Sequence, residues 1–293
     1  MLSRAFLAES LRIINGEESM QIGSVHREPK EPLDKRIVDR RAFLGAAVSA
    51  CAIPCLASVS MQFAPDMSRS LTKEERDGMT PSQVIDELKK GNERFRAAKM
   101  APRDYLGEKR SSAGGQYPAA VILGCLDSRV PAEIVFDVGI GDTFIGRVAG
   151  NILNDDMLGS MEFACAVSGA KVVLVLGHTA CGAVKGAIDD VVLGNLTALL
   201  ARIKPAIPAT KFEGDKTSKN PSYVDAVART NVILGLSDIR RRSPLLEELE
   251  KKGSIKIAGA MYNVATGMEG VPFVGNDACA HNLLLKGRPL IMR

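Results

Sequence analysis

Two stretches decide the fold: "AAVILGC", Ala119–Cys125, and "KVVLVLGH", Lys171–His178. Each is a short, continuous apolar run with no polar alternation. That is the pattern of a strand covered on both faces, as in a parallel sheet lying between layers of helix. Between them, "DTFIGRVAGN" (142–151) reads as a third strand, and "DDMLGSMEFACAVSG" (155–169) as a helix that starts acidic and ends in glycine. Upstream, "TPSQVIDELKKGNERFRAAK" (80–99) carries Val84, Ile85, Leu88 and Phe95 at helical spacing behind a Thr80 cap and Pro81, with Gly91-Asn92 marking a bend or a break into two helices. Helical patterns at 181–190, 194–203 and 222–251, interrupted by the polar loop "ATKFEGDKTSKNPS", lead to a late strand over 254–267. The alternation of strand and helix predicts an α/β domain with a mainly parallel central sheet flanked by helices, spanning 80–275 and followed by a tail over 276–293.

Composition narrows the function classes. Hydrophobic residues make up 46% of the 293 and charged residues 25%, which gives a chain with a real core. A net charge of +4 from 38 basic and 34 acidic residues, with 4% aromatics, is no footprint for nucleic acid, and no nucleic-acid partner is expected. Six cysteines in this length do not make a disulfide framework.

The first 61 residues read as a leader apart from the folded domain, and 62–79 as a polar linker. From Ala42 to Pro65 no residue is charged, and "DRRAFL" (39–44) stands at the start of that run with paired Arg40 and Arg41. This resembles a twin-arginine export signal, so export to the periplasm or another extracytoplasmic space is expected, and a cytoplasmic location if the leader does not function. "VSAC" (48–51) also resembles a lipoprotein processing site at Cys51, and the run approaches spanning length. Contact with a membrane is therefore expected only through a leader left uncleaved or lipidated. A start codon placed too far upstream equally accounts for residues 1–38.

The chemistry sits at the ends of the two deciding runs. "GCLDSRVP" (124–131) sets a thiol, a carboxylate and a guanidinium at alternate positions: Cys125, Asp127 and Arg129. "GHTACGAVKG" (177–186) places His178 and Cys181 three apart at the start of a helix, where both face one point. Ligands in open α/β sheets gather beyond the carboxyl ends of the strands, so the two thiols and the imidazole converge there. Two thiolates and one imidazole suit Zn²⁺, and three protein ligands leave a fourth position open, the pattern of a catalytic site. Taken singly, each residue has a plain reading: an inert buried thiol, a core histidine, a structural ion pair. Cys165 lies in an apolar helical pattern and reads as core. Cys279 and His281, in "DACAHN", have no further ligand near them.

"CLDSRVPAEIVFDVGIGDTFIGRVAGN" followed by "VLVLGHTACGAVKGAI" resembles a beta-class carbonic anhydrase, and the likeness runs from about Thr80, through "L-x-x-GN-x-RF", to about Gly267. The resemblance implies zinc held by Cys125, His178 and Cys181, and an Asp127–Arg129 dyad that orients a zinc-bound hydroxide, generated near neutral pH, for attack on CO₂. It also implies that Asp127 can instead swing onto the metal and block it. Further implied are Gln116 as a hydrogen-bond donor to substrate, Phe144 as an apolar wall and the Gly182 amide as a bicarbonate contact. Phe163 falls where some members have tyrosine, and Ile122 stands where members with a second bicarbonate site carry tryptophan. Glutamine and aromatic groups reach the zinc from a neighbouring subunit in the family, so a homodimer or higher homo-oligomer is expected. The expected reaction is reversible hydration of CO₂ to bicarbonate and a proton. The alternatives are hydrolysis of CS₂ or COS on the same scaffold, or a non-catalytic bicarbonate- or zinc-binding protein.

Overall fold

The computed structural model describes residues 69–267. Both deciding runs are strands, β1 (Ala120–Gly124) and β3 (Val172–His178). With β2 (Thr143–Arg147) and β4 (Lys256–Tyr262) they form a sheet in the order β2-β1-β3-β4, every pair parallel. Around it lie α1 (Lys73–Gly78), α2 (Pro81–Arg96), α3 (Tyr105–Ser112), α4 (Ala132–Val135), α5 (Asp155–Glu162), α6 (Gly182–Ile188), α7 (Gly194–Ala201), α8 (Ala206–Ala209), α9 (Pro221–Arg242) and α10 (Pro244–Lys251).

Alternate strand residues point to opposite faces, and here both faces are buried. Val121, Leu123, Val173, Val175 and Ile257 enter one core with Val224, Val227, Val232 and Leu236 of α9. Ala120, Ile122, Val172, Leu174, Leu176 and Ala258 enter the other with Val84, Ile85 and Leu88 of α2 and Val135 of α4. This double burial is why the runs carry no polar alternation. Helix α9 lies close on the sheet because Gly177 of β3 and Gly259 of β4 leave it room: a Cβ at either would stand 2.6 Å from a Val232 methyl.

Four sequence expectations change in detail. Helix α2 runs unbroken through Gly91-Asn92. There it passes so near the end of α4 that a Cβ on Gly91 would lie 1.8 Å from the Phe136 carbonyl oxygen, while Asn92 Nδ2 donates to the Val135 carbonyl at 3.1 Å. The pair marks a contact, not a bend. The helix expected over 222–251 is two, α9 and α10, because Ser243 Oγ caps the second at the Leu246 amide and Pro244 occupies its first turn. The third strand ends at Arg147, and Ala149–Asn151 form a 3₁₀ turn with φ of +68° at Gly150 and +42° at Asn151. The helix expected over 155–169 is α-helical to Glu162 and then makes a π-helical turn, Phe163–Val167.

Within the segment read as a linker, α1 is a capped helix. Thr72 accepts from the Glu75 amide and the Glu75 carboxylate accepts from the Thr72 amide. No helix among the described residues is long and apolar enough to cross a membrane, and the leader lies outside the described residues, as do Cys279 and His281.

The topology fixes where a ligand can bind. The chain leaves β1 toward β2 on one side and leaves β3 toward β4 on the other. The carboxyl ends of β1 and β3 therefore border the crevice at the switch point of the sheet.

Candidate metal centre

Cys125 is the first residue beyond β1, His178 the last of β3, and Cys181 the cap residue of α6. The sheet register sets Gly124 beside Leu176, so the first cysteine and the histidine emerge at the same edge. One ligand atom from each of Cys125, His178 and Cys181 lies within 4.8 Å of the others, and all three residues are buried.

The donor atoms lie close enough to share one cation. His178 Nδ1 lies 2.9 Å from the Thr179 carbonyl. With its proton donated there, the lone pair sits on Nε2, which is buried and has no hydrogen-bond partner. The two sulfurs interact strongly. Hydrogen bonding from Cys181 brings the Cys125 thiol down to about 4, against burial and with help from His178 and the backbone. The same contact, together with burial, pushes Cys181 up. The contact between the two buried sulfurs favours a thiolate at Cys125, close to the buried His178 Nε2. Such a set fits Zn²⁺ with three protein ligands. Cys165 behaves as core: it is buried, is not among the clustered ligands, and burial raises its thiol to about 12.

Asp127 and Arg129 stand at the mouth of the cluster. Asp127 Oδ1 accepts from the Arg129 amide at 3.0 Å and from Nε at 2.9 Å, and Oδ2 accepts from Nη2 at 2.8 Å. This fork holds the carboxyl well below the usual carboxylate range, more than offsetting partial burial. Asp127 Oδ2 is 3.9 Å from His178 Nε2, near the point the ligand atoms share, with both oxygens taken up by the guanidinium.

Of the other expected pocket residues, Gly182 alone is beside the cluster. It is the first residue of α6, exposed, with open space where a Cβ would stand. Phe144 pairs with Val121 near the amino end of the sheet and meets Phe163 edge-on at 6.2 Å. Gln116 is exposed and precedes β1 by four residues. The length of β1, about 16 Å at strand rise, separates that end of the protomer from Cys125.

Several residues around the cluster carry no sequence signal. The Gly150 amide donates to Cys125 Sγ at 3.2 Å, and Asn231 Nδ2 donates to the Gly150 carbonyl at 2.9 Å. Asp225 Oδ1 accepts from the Ala180 amide at 2.8 Å, and Arg147 donates to the carbonyls of Cys125 and Asp127. Gly150, Arg147 and Ala180 fall within stretches quoted above; Asp225 and Asn231 lie on a helix whose apolar pattern masks them.

Comparison with known proteins agrees with this geometry. Residues 120–269 match the family model described as carbonic anhydrase. Carbonic anhydrase 2 of Mycobacterium tuberculosis is 36% identical over 186 residues, covering 61% of this chain and 87% of that protein. Among solved structures, a Coccomyxa beta-carbonic anhydrase in complex with acetazolamide superposes with a TM-score of 0.51 at 23% identity, covering 68% of this chain and 90% of that one. One of two tetrameric beta-carbonic anhydrases from Sordaria macrospora gives a TM-score of 0.50 at 22% identity, covering 67% and 96%. Both structures share the fold.

Proposed function

The chain belongs to the beta-class carbonic anhydrase family, and from that premise we propose that it catalyses the reversible hydration of CO₂ to bicarbonate and a proton, with zinc as its cofactor. One observation carries the reading: the buried Cys125, His178 and Cys181 cluster, with His178 Nε2 unpartnered, lies beside an Asp127 whose two oxygens are held by Arg129. Cys125, His178 and Cys181 would hold the ion, which supplies Lewis acidity that makes water a nucleophile near neutral pH.

The chain's own residues do the rest. Asp127, kept ionised by Arg129, accepts a hydrogen bond from the nucleophile and turns its lone pair toward carbon. Arg129 keeps the carboxylate from rotating, and the pairing of both Asp127 oxygens with it supports an orienting rather than a blocking role. The Gly182 amide, at the start of α6 beside the cluster, would receive a bicarbonate oxygen.

Gln116 and Phe144 serve a site in a second copy, so the working unit is at least a dimer. Their distance along the sheet from their own protomer's cluster, and the position of β2 at the edge of the sheet among the described residues, support this. Arg40 and Arg41 would direct the chain to a twin-arginine route, which carries folded proteins and lets the thiolates be loaded before they meet an oxidising compartment.

The test is metal analysis with stopped-flow CO₂ hydration on the purified chain, with CS₂ and COS turnover measured in parallel. The expected outcome is one zinc ion per chain and CO₂ hydration that Cys181→Ser abolishes. Zinc without CO₂ turnover, or turnover of CS₂ alone, overturns the proposal.

A further inference from the structure

On the stripe of α9 that faces the sheet, Val224, Val227, Ala228 and Val232 are buried. Among them stands Asn231, 9% exposed, with the half-buried Asp225 six residues earlier. Packing alone calls for neither, since a buried amide or carboxylate is costly without partners. Each finds its partner in a different loop of the metal centre. Asn231 Nδ2 donates to the Gly150 carbonyl, and the Gly150 amide donates to Cys125 Sγ. Asp225 Oδ1 accepts the amide of Ala180, which has φ of +55° and lies between His178 and Cys181.

The loops need such ties. Gly150 and Asn151 are both left-handed, and a Cβ at Gly150 would come within 2.5 Å of Ile203 Cδ1. Ala180 and Asn151 hold a conformation that side-chain-bearing residues adopt at a cost and keep only where the surroundings impose it. An N–H···S bond draws charge from a thiolate, and partners one shell out from a metal orient its ligands.

We infer that Asn231 and Asp225 are positioning residues for the metal centre: Asn231 holds the Gly150 amide on the Cys125 sulfur, and Asp225 holds the turn that sets His178 against Cys181. The inference rests on the zinc reading above. It makes α9 a brace that grips both halves of the centre, which the sequence keeps far apart.

Zinc affinity, by competition with a chromogenic chelator, and the sulfur-to-metal charge-transfer band of the Co²⁺-substituted full chain test it. Asn231→Leu and Asp225→Ala are expected to weaken zinc binding about 10- to 100-fold. Asp225→Asn, which keeps an acceptor oxygen, is expected to stay close to wild type. Asn231→Leu should also shift the charge-transfer band, because its sulfur loses a donor. Thr230→Ala, whose hydroxyl donates to the Ala226 carbonyl of α9 and accepts from Thr210 at the end of α8, should move neither. An Asn231→Leu chain with a lowered melting temperature but wild-type zinc affinity and band overturns the inference. If that variant does not fold, the Asp225 pair decides: equal affinities for Ala and Asn overturn it. A wild-type chain that takes up no zinc overturns the metal reading itself, and this inference with it.

Discussion

At the scale of single residues, the fork between Asp127 and Arg129 separates binding the metal from using it. Neither residue is among the three clustered ligands, so Asp127→Asn is expected to keep zinc and to lose activity on the order of 100-fold, the scale of a misplaced reacting group. Metal analysis beside stopped-flow rates checks this, and loss of zinc would make Asp127 a ligand instead. Arg129→Lys should lose much of the same activity, since an ammonium cannot reproduce the two-point contact. These residues and the three ligands were legible in the sequence because each stands at or just beyond the end of a run that reads unmistakably as strand. Asn231 and Asp225 were not. Their partners lie 81 and 45 positions away and are backbone groups, which leave no mark in residue types. Gln116 and Phe144 are implied by resemblance alone, and within one chain the sheet carries them away from the cluster.

Elements were legible where burial is symmetrical and harder to read where close contact decides. The double-faced apolar runs gave the parallel sheet, whereas Gly91-Asn92 looked like a break because a glycine needed for room is indistinguishable, in sequence, from one needed for flexibility. Gly91→Ala is accordingly expected to destabilise the fold by about 3 kcal/mol, since the clash is with backbone that no rotamer change relieves. Equilibrium denaturation measures this, and a loss within error of zero would mean that α2 can move off α4. At α1, Thr72→Ala should cost about 1 kcal/mol through the lost cap, read from the same denaturation curves. The partner carboxyl, Glu75, is lowered from 4.5 to about 2 by Arg69 and the Thr72 amide. Its folded value lies below its unfolded one, so its contribution is present above pH 4.5 and is lost as pH falls through about 2. The pair is partly exposed and the effect correspondingly small. A Glu75→Gln chain should therefore differ in stability from wild type at neutral pH and approach it in acid.

For the whole molecule, two expectations concern assembly and address. If Gln116 and Phe144 act across copies, mixing a Cys181→Ser chain with a Gln116→Ala chain should restore activity that neither has alone. No recovery after confirmed subunit exchange would confine the site to one chain. Replacing Arg40 and Arg41 by Lys should leave active enzyme in the cytoplasm, and unchanged extracytoplasmic activity would remove the export reading.

The glycine-lined seat of α9 on β3 and β4 has a thermodynamic consequence. The helix that closes one core also ties down the metal's loops, so occupancy and folding are linked equilibria. A ligand that binds only the folded chain, at a free concentration 100 times its dissociation constant, adds about 2.7 kcal/mol to stability. Trimming Val232 would then tax both accounts: a looser core, and a smaller increment from the ion. Under metal starvation such variants should be the first to unfold, and a generous supply of zinc should act on them as a chemical chaperone.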